Sequence, residues 1–178
     1  YSTLISNTKI NYMIIWAKMN LAKIYINNGK CEISNIYIQD VYDYYIENTT
    51  EGMNSNELSE MFMLESFCVQ SYNKKLYLLE KSINLSKQRK HKGTLINSYL
   101  SRAQLYFENE IYNLSSNDYN KAKALAKKHE LNYLLPKIYQ SLAKIALREK
   151  KINLAKSNID RAHKHTDSKD LNLKLTQD

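Results

Sequence analysis

The chain has 178 residues, with 3 Gly, 1 Pro and a formal net charge of +8. That length holds one ordinary domain with its own core, while so little Gly and Pro excludes Rossmann folds, P-loop enzymes and β-sandwiches, which depend on glycine at particular turns. The charge is uneven: residues 1–88 hold 8 Lys/Arg against 9 Asp/Glu, and residues 89–178 hold 18 against 9, so the second half is the part that can attract an acidic partner surface, nucleic acid or an anionic membrane.

Helical periodicity runs nearly from end to end. The predicted helices are 8–27, 32–47, 56–72, 75–90, 94–113, 118–129, 136–148 and 152–165, forming four pairs. In the first, Ile14, Ala17, Leu21, Ile24 and Tyr25 step by 3 or 4 and are the expected core face. Breaks are expected at Asn27-Asn28-Gly29, from Asn48 to Asn56 around Gly52, at His91-Lys92-Gly93, at Ser115-Ser116-Asn117 and from Asn132 to Pro136. Asn, Gly and Ser there suit helix caps, and Pro136 suits a first helical turn. A further element is expected to begin at Ser168.

The pairs repeat. In the fourth, Tyr139, Leu142, Ala143, Ala146, Ile152, Ala155, Ile159 and Ala162 hold the large and small packing positions of a 34-residue helix–turn–helix repeat. Small residues let two helices approach closely, and Tyr and Leu fill the holes opposite. With Pro136 at its opening position, this pair resembles a tetratricopeptide repeat, departing from it at Ala146 and at Lys150, where glycine is usual. In the first pair Leu21, Ala22, Tyr25 and Gly29 match, whereas Ser34 and Val41 stand poorly at small-residue positions. The third pair offers Tyr99, Ala103 and Tyr106, then Tyr119, Ala122 and Ala126 after about seven extra residues, two added helical turns. The second pair is placed mainly by its period. The resemblance implies an all-α fold: a right-handed superhelix of about four helix pairs, one domain over 1–178, read as a fragment of a longer chain because it opens on Tyr1.

Cys31 and Cys68 show no paired spacing, which predicts neither a disulfide nor a zinc site and leans towards the reducing cytoplasm. No run reaches the ~18 apolar residues of a membrane span. His163 and His165 lie two apart on a helix and diverge. His91 and His129 suit helix C-termini, Glu57 and Glu60 a helix start, and Asp40 with Asp43 a solvated pair. HExxH, GxSxG and Walker A sequences are absent. The expectation is a protein that is not an enzyme and carries no metal or cofactor.

What remains is surface. The resemblance implies that first-helix positions away from the core line a concave groove. Those positions are Asn20, Lys23 and Asn27 in the first pair, and Asn97, Leu100 and Gln104 in the third. The fourth gives Lys137, Gln140, Lys144 and Arg148, spaced 3, 4 and 4 along one face. Amides and cations so arranged can hold an extended, acidic peptide or a partner protein. The alternative is a sensor segment of a larger bacterial signalling or transcription protein. Basic residues also recur late in the second helices, as Lys87, Arg89, Lys90 and Lys92, then Lys121, Lys123, Lys127 and Lys128, then Lys156, Arg161, Lys164 and Lys169. With no nucleic-acid motif beside them, binding of RNA or DNA is not expected.

Overall fold

The computed structural model describes residues 2–48 and 56–175, with side chains over 13–45 and 57–166. The helices are α1 (Ser2–Asn27), α2 (Cys31–Asn48), α3 (Asn56–Cys68), α4 (Tyr72–Gln88), α5 (Lys92–Glu108), α6 (Tyr112–Lys128), α7 (Leu135–Arg148) and α8 (Ile152–Leu175), with a 3₁₀ turn, Asn132–Leu134, before α7. No strand occurs among the described residues. They form two compact units, residues 1–94 and 95–178.

One backbone device ends five of the helices. Gly29, Lys90, Glu110, Glu130 and Lys150 adopt left-handed φ between 57° and 71°. At each, the next N–H reaches back five residues in a Schellman closure, as Ile111 does to the Tyr106 carbonyl and Lys151 to that of Ala146. From Lys90 to Lys150 these caps recur every twenty residues.

In the first unit, α1 packs on α2, α3 packs on α4, and α1 and α2 both meet α3. The core is Ile15, Met19 and Ala22 of α1, Ile38 and Val41 of α2, Leu58, Met61 and Leu64 of α3, and Leu78, Leu79 and Ile83 of α4. The expected face of α1 is therefore displaced. Ile14, Ala17, Leu21 and Ile24 are exposed, Tyr25 is half-buried, and Ile15, Met19 and Ala22 are buried instead. Apolar residues surround most of α1, so two adjacent stripes share the same spacing. Ala22 selects between them: α2 approaches it closely enough for the Ser34 hydroxyl to donate to the Ala22 carbonyl at 3.1 Å.

Cys31, at the start of α2, is disulfide-bonded to Cys68, at the end of α3, with Cα atoms 5.2 Å apart. This corrects the reading of two unrelated thiols. Cysteines 37 positions apart show no local spacing signal, because helix packing alone brings them together. Tyr42 donates to Glu65 at 3.0 Å, and Ser82 to the Ser59 carbonyl at 2.6 Å, tying α2 and α4 to α3. Burial, then the Glu65 charge and hydrogen bond, push the Tyr42 phenol above its ordinary range.

In the second unit α6 packs on α7, and α7 on α8. Its core holds Ile96, Tyr99, Ala103 and Tyr106, then Tyr119, Ala122 and Ala126, then Leu135, Ile138, Tyr139, Leu142 and Ile145, with Ala155 and Ala162. The expected break at Ser115-Ser116-Asn117 lies inside α6, and the chain turns at Asn109–Ile111 instead. Ser115 is buried, its hydroxyl donating to the Ala103 carbonyl at 2.7 Å, so it serves as a small residue at a helix crossing. The seven extra residues vanish with this register. Tyr99, Ala103, Tyr106, Ser115, Tyr119 and Ala122 stand forty positions before Tyr139, Ala143, Ala146, Ala155, Ile159 and Ala162. Ile152 and Ile159, expected in the core, are exposed at 63% and 40%. The expected break around Gly52 lies outside the described residues, and α8 runs through Ser168, where a new element was expected.

α5 and α6 are also joined by an ion pair on a buried carboxylate. Asp118, 1% exposed, accepts from Arg102 Nε at 2.6 Å and Nη2 at 3.1 Å, and from Lys121 at 3.2 Å. The Arg102 guanidinium lies 5.8 Å from the ring centroids of both Tyr99 and Tyr106.

Candidate functional site

Lys137, Gln140, Lys144 and Arg148 are all exposed along one face of α7. The opposite face carries Ile138, Tyr139, Leu142, Ala143, Ile145 and Ala146, all buried. Pro136 in the first turn and the left-handed Lys150 just past the end fix the length of this helix. No Asp or Glu among the described residues pairs with Lys137, Lys144 or Arg148.

Gln104 of α5 joins this face. It lines a small cleft of about 50 Å³ with Phe107, Tyr119, Ser141 and Lys144, room for a water or two but not for a metabolite. The Tyr119 hydroxyl donates to Gln104 Oε1 at 3.0 Å, and Gln104 Nε2 donates to Glu108 at 3.0 Å, so the Gln104 amide is engaged at both ends. Burial pushes the Tyr119 phenol up, a hydrogen bond with Ser141 pulls it down, and the Glu108 charge adds to the rise. Ser141 and Phe107 escaped the sequence reading, and Tyr119 was expected only as a packing position, because the three belong to different helices and carry no common spacing.

The other expected positions do not gather in this way. Asn97 is exposed on α5, and Leu100 is half-buried. In the first unit the Asn20 side chain donates to the Trp16 carbonyl at 2.9 Å, Lys23 pairs with Glu60 of α3 at 2.7 Å, and Asn27 is exposed at the end of α1. Lys23 is thus a tie between helices as much as a surface cation. Asp40 and Asp43 are each engaged too, by Lys18 at 2.7 Å and by Gln39 at 2.7 Å.

The recurrent basic residues separate into different environments. Lys121 is held by Asp118. Lys123, Lys127 and Arg161 instead surround the ring of Tyr139, and the Lys169 side chain lies outside the described set. Among the described residues no group of three or more His, Cys, Asp or Glu is placed to hold a metal ion, and no helix is long and apolar enough to cross a membrane. No protein-family model, curated protein or solved structure matches the chain.

Proposed function

We propose that this chain is a non-catalytic interaction scaffold, its helix pairs being tetratricopeptide-like repeats of a right-handed superhelix, and that α7 presents the surface that receives an extended acidic peptide or partner protein. One observation carries the reading: Lys137, Gln140, Lys144 and Arg148 form an exposed stripe backed by a fully packed face, with no carboxylate of the described residues on its cations. The helix holds the roots of these cations in one row, and charge-assisted bonds to a carboxylate are the stronger kind. The small-residue crossings support the repeat reading. Ala22 with Ser34, Ala103 with Ser115 and Ala143 with Ala155 each sit twelve residues apart and are buried.

The test is Lys144→Glu with Arg148→Glu, used as bait against the partners that the unaltered chain retains. Both positions are exposed, so stability should change by less than about 0.5 kcal/mol per site while capture is lost. Recovery of the same partners by the reversed chain would overturn the assignment. As to compartment, the Cys31–Cys68 bridge supports an oxidising setting over the cytoplasm expected from cysteine spacing, since reducing cytosol keeps most thiols free. Both cysteines alkylated in intact cells would speak for the cytoplasm.

A further inference from the structure

Three cations from two helices converge on one aromatic ring. Lys123 and Lys127 of α6 and Arg161 of α8 lie 5.6, 5.9 and 6.0 Å from the centroid of Tyr139 on α7. His165 of α8 stacks nearly parallel to the same ring, with 10° between planes and 5.7 Å between centroids. Tyr139 is buried, Lys123 and His165 are half-buried, and Lys127 and Arg161 are exposed. No carboxylate of the described residues pairs with Lys123, Lys127 or Arg161.

Folding alone does not account for this arrangement. The α6 macrodipole favours a cation at Lys127, in its last turn. Lys123 stands a full turn further in and Arg161 near the middle of α8, beyond the reach of either helix end. The ring attracts cations, but three of them around one phenol also repel one another. Burial holds the Lys123 ammonium below the usual lysine range, and the Lys127 and Arg161 charges add to this against the pull of Tyr139. Burial, then Lys127 and Lys164, hold the His165 imidazole below its usual value. The cluster is short of negative charge.

We propose that this face of α6, α7 and α8 binds the phosphate group of a ligand, seated among Lys123, Lys127, Arg161 and His165. The guanidinium of Arg161 can take two oxygens at once, the two ammonium groups a third, and a charge near −2 offsets more than one cation. A carboxylate has two oxygens and one charge and matches the cluster less well. This site does not depend on the α7 stripe, whose side chains lie on the exposed face of that helix.

The experiment follows the His165 imidazole signal by NMR, assigned with His165→Gln, while inorganic phosphate replaces chloride at matched ionic strength. The groups facing His165 are Lys127 from α6, Tyr139 from α7, and Arg161 and Lys164 from its own helix. A bound dianion favours the imidazolium, so phosphate should shift the signal saturably and move the His165 pKa upwards, back towards the ordinary ~6.5. Lys127→Gln with Arg161→Gln should weaken the binding at least tenfold without moving the melting temperature, and Lys144→Glu with Arg148→Glu should leave it intact. A phosphoserine peptide that binds at least tenfold tighter than inorganic phosphate would mark the phosphate as one carried on protein; equal affinity would mark a free one. A non-saturating shift equal to that with chloride, or an unchanged affinity in the Lys127/Arg161 variant, would overturn the proposal. The unaltered chain alone supplies the first of these outcomes.

Discussion

At the scale of single residues, the left-handed caps are the least expected feature. Lys90, Glu110, Glu130 and Lys150 adopt φ of 57° to 61°, where a Cβ atom costs roughly 1–2 kcal/mol. Glycine would avoid that cost while giving back part of it through its freer unfolded chain. Glu110 and Lys150 are exposed, so little else would be lost. We predict that Glu110→Gly and Lys150→Gly each raise stability by about 0.5–1 kcal/mol, read as a higher denaturation midpoint. A lower midpoint would contradict the cap geometry. Lys150 was legible in the sequence as a lysine standing where a repeat has glycine. Glu110 was not, because glutamate is no turn former and Ser115-Ser116-Asn117 nearby carries the stronger turn composition. The cap is imposed by the closing hydrogen bonds of Glu110 and Ile111, which composition does not encode.

At the scale of the elements, helix pairing rests on small residues and on charged contacts. Ala143 is 3% exposed at the crossing of α7 with α8. Ala143→Leu should overpack that crossing and cost about 1–3 kcal/mol, and an unchanged melting temperature would mean that the repeat register is wrong. The Arg102–Asp118 pair is a different kind of joint. Asp118→Asn removes the buried carboxylate charge that Arg102 and Lys121 share, so a loss of about 3 kcal/mol is expected in denaturant unfolding, and a change below about 1 kcal/mol would show the pair to be energetically idle. The number and pairing of helices were legible from apolar periodicity and from Ala at fixed intervals. Asp118 was invisible, since an aspartate expected at a helix start reads as a solvent-facing cap until Arg102 is seen across the crossing. The stripe of α7 was legible because it lies on one helix. The Tyr139 cluster was not, because its members come from three.

At the scale of the whole molecule, the disulfide is the covalent fact with the widest reach. It closes a loop with a sequence separation of 37, which in a chain-entropy account stabilises the folded state by about 3–4 kcal/mol. No cysteine is left free. Chain folded and purified without reductant should therefore give no thiol titre under native conditions, and a titre of two would remove the bridge from the molecule. The sequence concealed this link for the reason it concealed the phosphate cluster: both are made by packing between helices, and neither has a local signature.

The bridge also governs how the protein answers tension. The bridge keeps Cys31 and Cys68 together, their Cα atoms 5.2 Å apart in the fold, however the rest is drawn out. A pull on the two ends of the chain bypasses everything between them, including most of α2 and α3. Roughly 120 Å of extended backbone is thereby withheld from the stretched molecule. Adding reductant while the protein is held in a force spectrometer should release that length as one added step, so the same chain has two reaches, set by the redox state of its surroundings.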